Sequence, residues 1–568
     1  MMEQPITELS NPLSYNIDKA SPKEIAEILY ACDLEIFYGW NETKGVRDEN
    51  VINKIEQLAH KISEVIENAC GAVVISGCGT SGRIAFLTAR TFNKYLKSKG
   101  GNECFHYIIA GDDRALFTSL ELAEDDPVVG AYRLQQLCQN KTDVVYIGVT
   151  CGLSAPFVAG QLDYTLSHLD IYTPVLIGFN PVHQARNLKI EKWDKTFFQV
   201  VQELEKAENS SKAYILNPII GPEPITGSSR MKSGTTTRIL LEILSLKAIH
   251  RQLSISELIS MYESACHSVY KYTDDLGSMI DLAGASLTSG GHVFYLGCDG
   301  FGLMAMIDAS ECPPTYGASF HDMRGFVDGG FSALLNNDGD LSSQGPQYKI
   351  SIEDFERDIV PSLASSDLVV FLGEDILHKV SESIFSAPCK RVFVSCYWPN
   401  NVPTTTTRSF SLSLVLELDV AKLASLNSDP LKALITKLLE EVSLKWVVNN
   451  LSTGAHILKG KVCQNKMVDV KVSNNKLFHR AVGIVQNYSS LSVEECTTIL
   501  LKSIYDTDSL TADQESASVV AHIEVASCKD MVVPTAIVIA SLGCNVSEAK
   551  EMLKSQPVLR KLVCALVN

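Results

Sequence analysis

The 16 cysteines of this 568-residue chain include no Cys-x-x-Cys pair, and its 12 histidines include no His-Glu-x-x-His and no pair spaced four apart. Zinc therefore has no recognisable ligand set, and neither a metal nor another cofactor is expected. Basic charge is short as well: 49 Lys and Arg face 66 Asp and Glu, a formal net charge of −17. Such a surface repels phosphate backbones and anionic lipid, so neither nucleic acid nor a membrane is expected as a partner. The longest apolar stretch, Met531 to Cys544, carries Pro534 and is too short to span a bilayer. No basic-then-apolar leader precedes the scattered cysteines, and a reducing, cytoplasmic compartment is the expectation. Low-complexity tracts and long like-charge blocks are missing too, which argues against a disordered tail.

What is present is ordinary for a globular protein: 46% hydrophobic and 20% charged residues, with a mean hydropathy of +0.08. The length exceeds what one hydrophobic core fills, so several domains are expected. A small phosphorylated ligand stays open despite the acidic balance, because amide N–H groups and hydroxyls hold a phosphate locally.

Two segments share one layout of β-branched run, glycine-rich turn and amphipathic stretch. The first is Ala72-Val-Val-Ile-Ser-Gly77-Cys-Gly-Thr-Ser-Gly82, the second His292-Val-Phe-Tyr-Leu-Gly297-Cys-Asp-Gly-Phe-Gly302. The runs ending at Gly148 and Gly373 recur at nearly the same offset, so the chain reads as a duplication. In each copy short buried-strand runs (Val73 to Ser76, His106 to Ala110, Val144 to Val149, Pro174 to Gly178 in the first) alternate with helical stretches. That alternation predicts two α/β domains with flavodoxin-like parallel sheets flanked by helices. Ser21-Pro-Lys-Glu24 has the form of a capping box opening a helix, and beyond Trp446 the pattern is mainly helical, interrupted by β-rich runs such as Val519 to Val525. Loops are expected at Glu205 to Ser211, Asn336 to Gln347 and Trp398 to Thr407.

Gly77-Cys-Gly79-Thr80-Ser81-Gly82 fits the dinucleotide pattern G-x-G-x-x-G, yet the acid that would hold the ribose is missing roughly 20 residues on. The adjacent hydroxyls of Thr80 and Ser81 suit a compact terminal phosphate instead, with the amides of the following helix behind them. The turn Gly148-Val-Thr150-Cys151-Gly152-Leu-Ser154 is again small and hydroxylic, and in an open parallel sheet both turns lie outside the carboxyl ends of strands, where ligands bind. In the second copy the matching positions are Asp299-Gly-Phe301 and Gly373-Glu374-Asp375, carboxylates where a phosphate needs donors. Glu121 and Glu124 stand one turn apart, placed either for sugar hydroxyls and acid/base work or as a solvated helix end. Gly227-Ser-Ser229-Arg230-Met-Lys232 opens a helix with hydroxyls and two cations, an anion-suited terminus or a surface cap.

Taken together, Gly77 to Arg83, Gly152 to Gly160, Gly227 to Lys232 and Asp308-Ala-Ser-Glu311-Cys-Pro-Pro314-Thr-Tyr-Gly317 resemble the sugar isomerase (SIS) domains of bacterial N-acetylmuramic acid 6-phosphate etherases and the animal glucokinase regulatory protein family. The etherases carry one such domain per chain; the regulatory family joins two and adds a helical lid, and Lys445-Trp-Val-Val-Asn449 and Ser473 to Arg480 extend the likeness to it. The division this implies is an N-terminal helical segment (1–60), a first SIS domain with the sugar-phosphate site (61–257), a helical connector (258–290), a second SIS domain with degenerate phosphate loops (291–455) and a C-terminal helical lid (456–568).

The resemblance implies a sugar-phosphate-responsive inhibitor of glucokinase or hexokinase, not an enzyme, with fructose 6-phosphate promoting and fructose 1-phosphate relieving inhibition. Carried over position by position, it puts Thr80, Ser81, Glu124, Thr150, Cys151, Gly152 and the lid residue Lys476 at the ligand. Gly79, Glu121, Ser154, Ser229, Arg230, Asn474 and Arg480 support the pocket. Presence in the nucleus as well as the cytoplasm is implied by the resemblance alone. The resemblance also implies a difference: Pro314 stands where mammalian relatives carry a histidine near the ligand. The two etherase acids fall on Glu124 and Glu311, in different copies, so catalysis requires the halves to complete one site between them. An etherase-like lyase and a sugar-phosphate sensor with another protein partner are therefore the alternatives. The stretch Phe410 to Pro430, where animal relatives contact glucokinase, matches them loosely and reads equally well as a buried strand.

Overall fold

A computed structural model of the chain describes residues 4–118, 120–191, 193–398, 408–419, 423 and 428–563. The first sheet holds β1 (Gly71–Gly77), β2 (Phe105–Ile109), β3 (Asp143–Val149), β4 (Tyr172–Ile177) and β5 (Tyr214–Leu216) in the order β2-β1-β3-β4-β5. The second holds β6 (Val293–Gly297), β7 (Met323–Val327), β8 (Leu368–Leu372), β9 (Lys390–Tyr397) and β10 (Leu412–Glu417) in the order β10-β9-β8-β6-β7. Every pairing within both sheets is parallel. Counted from its own first strand, each copy has the order 2-1-3-4-5, so the duplication seen in the sequence is a duplication of topology.

Helices cover both faces, which is why every residue of β1 is buried and why the strands read as continuous apolar runs, not alternating ones. The order reverses between β1 and β3, and again between β6 and β8, so each sheet has a crevice outside the carboxyl ends of that strand pair. The helix Glu49–Glu67 shows how the cover forms: Ile55, Leu58, Ile62 and Val65 recur at helical spacing and are buried against the first sheet, while Glu56 and Lys61 stay on the polar side. Two helices, Lys232–Ile249 and Asp429–Leu458, are buried almost all round and run through the centre of the molecule. Glu441 of the second helix pairs with Arg238 of the first at 2.7 Å.

Beyond a short antiparallel hairpin, Val462–Cys463 with Lys466–Met467, the lid is helical, from Asn475–Asn487 to Leu559–Val563. Its hairpin is tied to the N-terminal strap, where Ser10 Oγ donates to Asn465 Oδ1 at 2.7 Å and Asn465 Nδ2 donates to the carbonyl of Asn11 at 2.9 Å.

The Ser21 capping box is formed, with Ser21 and Glu24 each accepting the other's backbone N–H. Other expectations are corrected. Val519 to Val525 is not a β-rich interruption but part of the helix Val519–Ser527, because Ser518 caps its start and Ile523 and Ala526 pack into the lid core, overriding β-branched propensity. The loop expected from Glu205 begins only after Glu208, since the helix Phe197–Glu208 buries Val200, Val201 and Leu204 and extends one turn further. The helix Glu49–Glu67 runs across the division placed at residue 60, and Asp429–Leu458 across that at 455. The expected loop at 398–407 lies outside the described residues from 399 onward. Of the stretch 410–430, residues 420–422 and 424–427 lie outside them too, and the rest includes β10 and the start of Asp429–Leu458.

Candidate functional site

The turn after β1 is dictated by its glycines. A side chain at Gly77 would meet Ser81 Cβ at 2.6 Å, and Gly79 holds φ at 49°, so the chain swings directly into the helix Gly79–Ser98. That places Thr80 and Ser81 on the first helical turn, at the positive end of the helix. The turn after β3 is held by Thr150, whose Oγ1 accepts from the amides of Ser154 at 3.2 Å and Ala155 at 3.3 Å. Cys151 Sγ lies 3.7 Å from Ser81 Oγ and joins the two turns. Burial pushes the Cys151 thiol up to about 11, so it sits there as a neutral, weakly polar group.

Between the turns is a cavity of about 130 Å³, and it gathers Gly79, Thr80, Ser81, Glu124, Thr150, Cys151, Gly152, Ser154, Ser229 and, from the lid, Lys476. Glu124 is on a short 3₁₀ turn, Glu121–Asp125, and is 8% exposed. Lys476 Nζ reaches its Oε2 at 3.5 Å. Lys476 is delivered there by the start of Asn475–Asn487, which Asn474 caps by accepting from the Leu477 amide at 2.7 Å. Asn475 fixes the same helix to the first domain by donating from its backbone and side-chain nitrogens to Asp125, at 3.1 and 3.2 Å.

Two of the expected supporting residues, Arg230 and Arg480, do something other than face the cavity with free groups. Arg230 lines it, yet its guanidinium is 3% exposed and spoken for by Asp308 at 2.8 Å, the Tyr316 hydroxyl at 2.9 Å, Thr453 at 2.8 Å and Ser452 at 3.1 Å. Its charge is spent in joining the first domain to the second and to the long helix, not in offering a cation to an anion. Lys232 is likewise paired with Glu35. Arg480 lines the cavity with its Nη2 and Nε donating to Glu8 at 2.6 to 3.2 Å. The side chain of Glu121 lies outside the described residues.

Sequence reasoning missed five contributors. Thr7 and Glu8 enter from the N-terminal strap, where Asn180 Oδ1 accepts from the Thr7 amide at 3.0 Å. Glu223 turns its carboxylate onto the first amides of Lys232–Ile249, at 2.9 Å each from Lys232 and Ser233. Arg83 lies on the helix behind Thr80, within 3.4 Å of Glu311. The fifth, Arg186, follows β4 and lines the cavity with Glu8 and Asp125 nearby. The one signal available was Gly221-Pro-Glu-Pro, an acid fixed in a rigid turn just before a hydroxyl-rich helix start.

Glu311 is the second copy's contribution to the first copy's crevice: Thr80 Oγ1 donates to its Oε1. Burial raises the Glu311 carboxyl above its ordinary range, against the pull of Arg83 and the Thr80 hydrogen bond. Glu124 and Glu311 thus face one cavity, although they come from different copies.

The equivalent crevice of the second copy is closed. A Cβ at Gly300, which stands where the first copy has Thr80, would lie 1.8 Å from Glu441 Oε1, and Phe301 replaces Ser81 against Gly373. Asp299 carries ion pairs with Arg90 at 2.6 Å, Lys94 at 3.4 Å and Lys437. A carboxylate and a phenyl ring fill the place where an incoming anion would need donors.

Three family profiles match the chain: the glucokinase regulatory protein N-terminal SIS domain over residues 50–166, its second SIS domain over 270–459 and its C-terminal lid domain over 464–563. Over nearly its whole length the chain is similar to the glucokinase regulatory protein of Xenopus laevis, with 38% identity over 99% of this chain and 93% of that one. To the human glucokinase regulatory protein it has 38% identity over 97% of this chain and 91% of that one. An N-acetylmuramic acid 6-phosphate etherase of Salmonella typhi is 30% identical over 45% of this chain and 82% of its own length.

Proposed function

Because the chain belongs to the glucokinase regulatory protein family, we propose that it is a non-catalytic inhibitor of glucokinase or a hexokinase whose grip on the kinase is set by a sugar phosphate bound between Thr80, Ser81, Thr150 and Lys476. The observation that supports this reading best is the meeting of Lys476, from the lid, with Glu124 at 3.5 Å in a crevice whose turns belong to the first sheet. A phosphate held by the hydroxyls and amides of those turns competes with Glu124 for the ammonium, so ligand identity is felt as a change in how the lid sits. A ligand that binds two lid arrangements unequally shifts their populations, and a coupling of about 1 to 3 kcal/mol changes partner affinity roughly 5- to 150-fold. No bond need break. On this reading fructose 6-phosphate favours the inhibiting arrangement and fructose 1-phosphate the released one, in the cytoplasm and the nucleus alike.

Glucokinase activity titrated with the purified protein tests it directly. The expected result is inhibition that deepens with fructose 6-phosphate and recedes with fructose 1-phosphate; inhibition indifferent to both sugars would overturn the ligand assignment, and its absence with glucokinase and hexokinases alike would overturn the partner.

A second reading, a lyase acting on N-acetylmuramic acid 6-phosphate, is favoured by one feature, the convergence of Glu124 and Glu311 on one cavity. A buried acid with a raised pKa and a second carboxylate opposite are the groups an elimination needs as acid and base. Lactate release from that substrate, abolished in Glu124→Gln, would establish the lyase; no release at high enzyme concentration would leave the regulator alone.

A further inference from the structure

A second cavity, of about 410 Å³, lies on the far side of Pro314 from the sugar-phosphate crevice, between the first domain, the second domain and the lid. Its size is within the span usual for small-molecule sites, roughly 300 to 1,000 Å³. Its walls are apolar, with Phe117, Met306, Pro313, Phe320, Met323 and Ile350 the main contributors. Among the described residues, the titratable ones that line it are Arg324 and Lys471, and no carboxylate joins them. Lys471 is at the lid side, half spoken for by an ion pair with Asp530 at 3.1 Å.

Arg324 is the unusual group. It is 8% exposed on β7, and the hydrogen bonds it makes run from Nη2 to the carbonyls of Pro346 at 3.0 Å and Lys349 at 2.8 Å. The rings of Phe320 and Phe326 lie 4.8 and 4.7 Å from its Cζ. Among the described residues no carboxylate bonds to it; Asp354 and Asp358 act on it only from a distance. A guanidinium carries five N–H donors and is costly to bury without an anion, and burial here pushes it down to about 10. Every other deeply buried arginine in this part of the molecule, Arg83, Arg230 and Arg238, has a carboxylate partner. The cavity has an acceptor side as well: Pro313 and Pro314 interrupt the helix Asp299–Tyr316, so the carbonyls of Ala309 and Ser310, both in the cavity wall, cannot receive the usual helical N–H.

We propose that this cavity is a binding site for an amphiphilic carboxylate, with the acid on Arg324 and an aliphatic or aromatic body among Phe117, Met306, Phe320 and Met323. An apolar chain fills the walls, and the carboxylate supplies the charge that Arg324 lacks. A neutral chain of the same length gains the first contribution and not the second; a cationic one is repelled by Arg324 and Lys471.

Calorimetric titration of the full chain with octanoate, octan-1-ol and octylammonium separates these contributions. Octanoate is expected to bind at least ten-fold more tightly than octan-1-ol, and octylammonium not to bind. Arg324→Gln should reduce octanoate to the level of octan-1-ol while leaving octan-1-ol unchanged, and Ser310→Phe, which fills the cavity from its wall, should abolish both. Equal affinity for acid and alcohol, octanoate binding that survives Arg324→Gln, or no binding of either to the parent chain would each overturn the proposal. Should Arg324→Gln fail to fold, the acid-to-alcohol ratio in the parent chain and the Ser310→Phe variant still decide it.

Discussion

Ser81 contributes one hydroxyl, and its loss is expected to weaken sugar-phosphate binding by about 1 to 3 kcal/mol, the worth of a hydrogen bond to a charged group. Calorimetry on Ser81→Ala reads this, and unchanged affinity would move the ligand away from the turn after β1. Lys476→Ala should act twice, weakening the ligand and reducing the ligand's effect on kinase inhibition; a variant that loses affinity but keeps the full effect would place the sensing group elsewhere. Arg230 belongs to a different class despite lining the same cavity. With both terminal nitrogens bonded to Asp308, Tyr316, Ser452 and Thr453, its removal strands a buried carboxylate, so Arg230→Ala is expected to lower stability by about 3 to 5 kcal/mol. Denaturation midpoints check this, and a variant as stable as the parent would contradict the assignment. Residue types and their order pointed to the hydroxyls and the glycines, and the family resemblance alone pointed to the lid lysine. They could not reveal that Arg230 is spent internally, because its partners lie from 78 to 223 positions along the chain.

The two glycine-rich turns show how one supersecondary element diverges. In the first copy the helix after β1 opens on hydroxyls; in the second it opens on Asp299, which Arg90, Lys94 and Lys437 surround. Burial alone would raise the Asp299 carboxyl, but Lys437 and Arg90 outweigh it and hold it well below the usual carboxylate range. A folded-state pKa below the unfolded one, near 3.9, gives stability that is present above that value and is lost as pH falls toward the folded one. Asp299→Asn should therefore melt earlier than the parent at pH 7, with the gap narrowing between about pH 5 and pH 3; a gap that stays constant with pH would show the ion pairs to be idle. The sequence pattern made these elements legible wherever both faces of a strand or one stripe of a helix were buried. It misled at Val519–Ser527, where β-branched residues follow a capping serine and the lid core decides the outcome. Ser518→Ala is expected to cost that helix about 1 kcal/mol, seen as faster amide exchange confined to the lid.

At the scale of the whole molecule, duplication has yielded one open crevice and one closed one, and the two are not independent. The second copy reaches into the first through Glu311, which Thr80 binds, and the long helix Asp429–Leu458 reaches into the second copy's turn through Glu441. Neither contact could be read from the sequence, since Thr80 and Glu311 stand 231 positions apart and only the packing of the two sheets joins them. What was readable is the inequality of the two loops, hydroxyls against carboxylates, and the structure adds its steric counterpart in Glu441 and Phe301. A single sugar-phosphate site, in the first copy, follows from that inequality. Diffraction from crystals of the full chain grown with fructose 6-phosphate tests it most directly. The phosphate should lie on Thr80, Ser81 and Thr150 with Lys476 turned toward it; a sugar phosphate seated beside Asp299 and Glu374 while the turn at Ser81 stays vacant would contradict it.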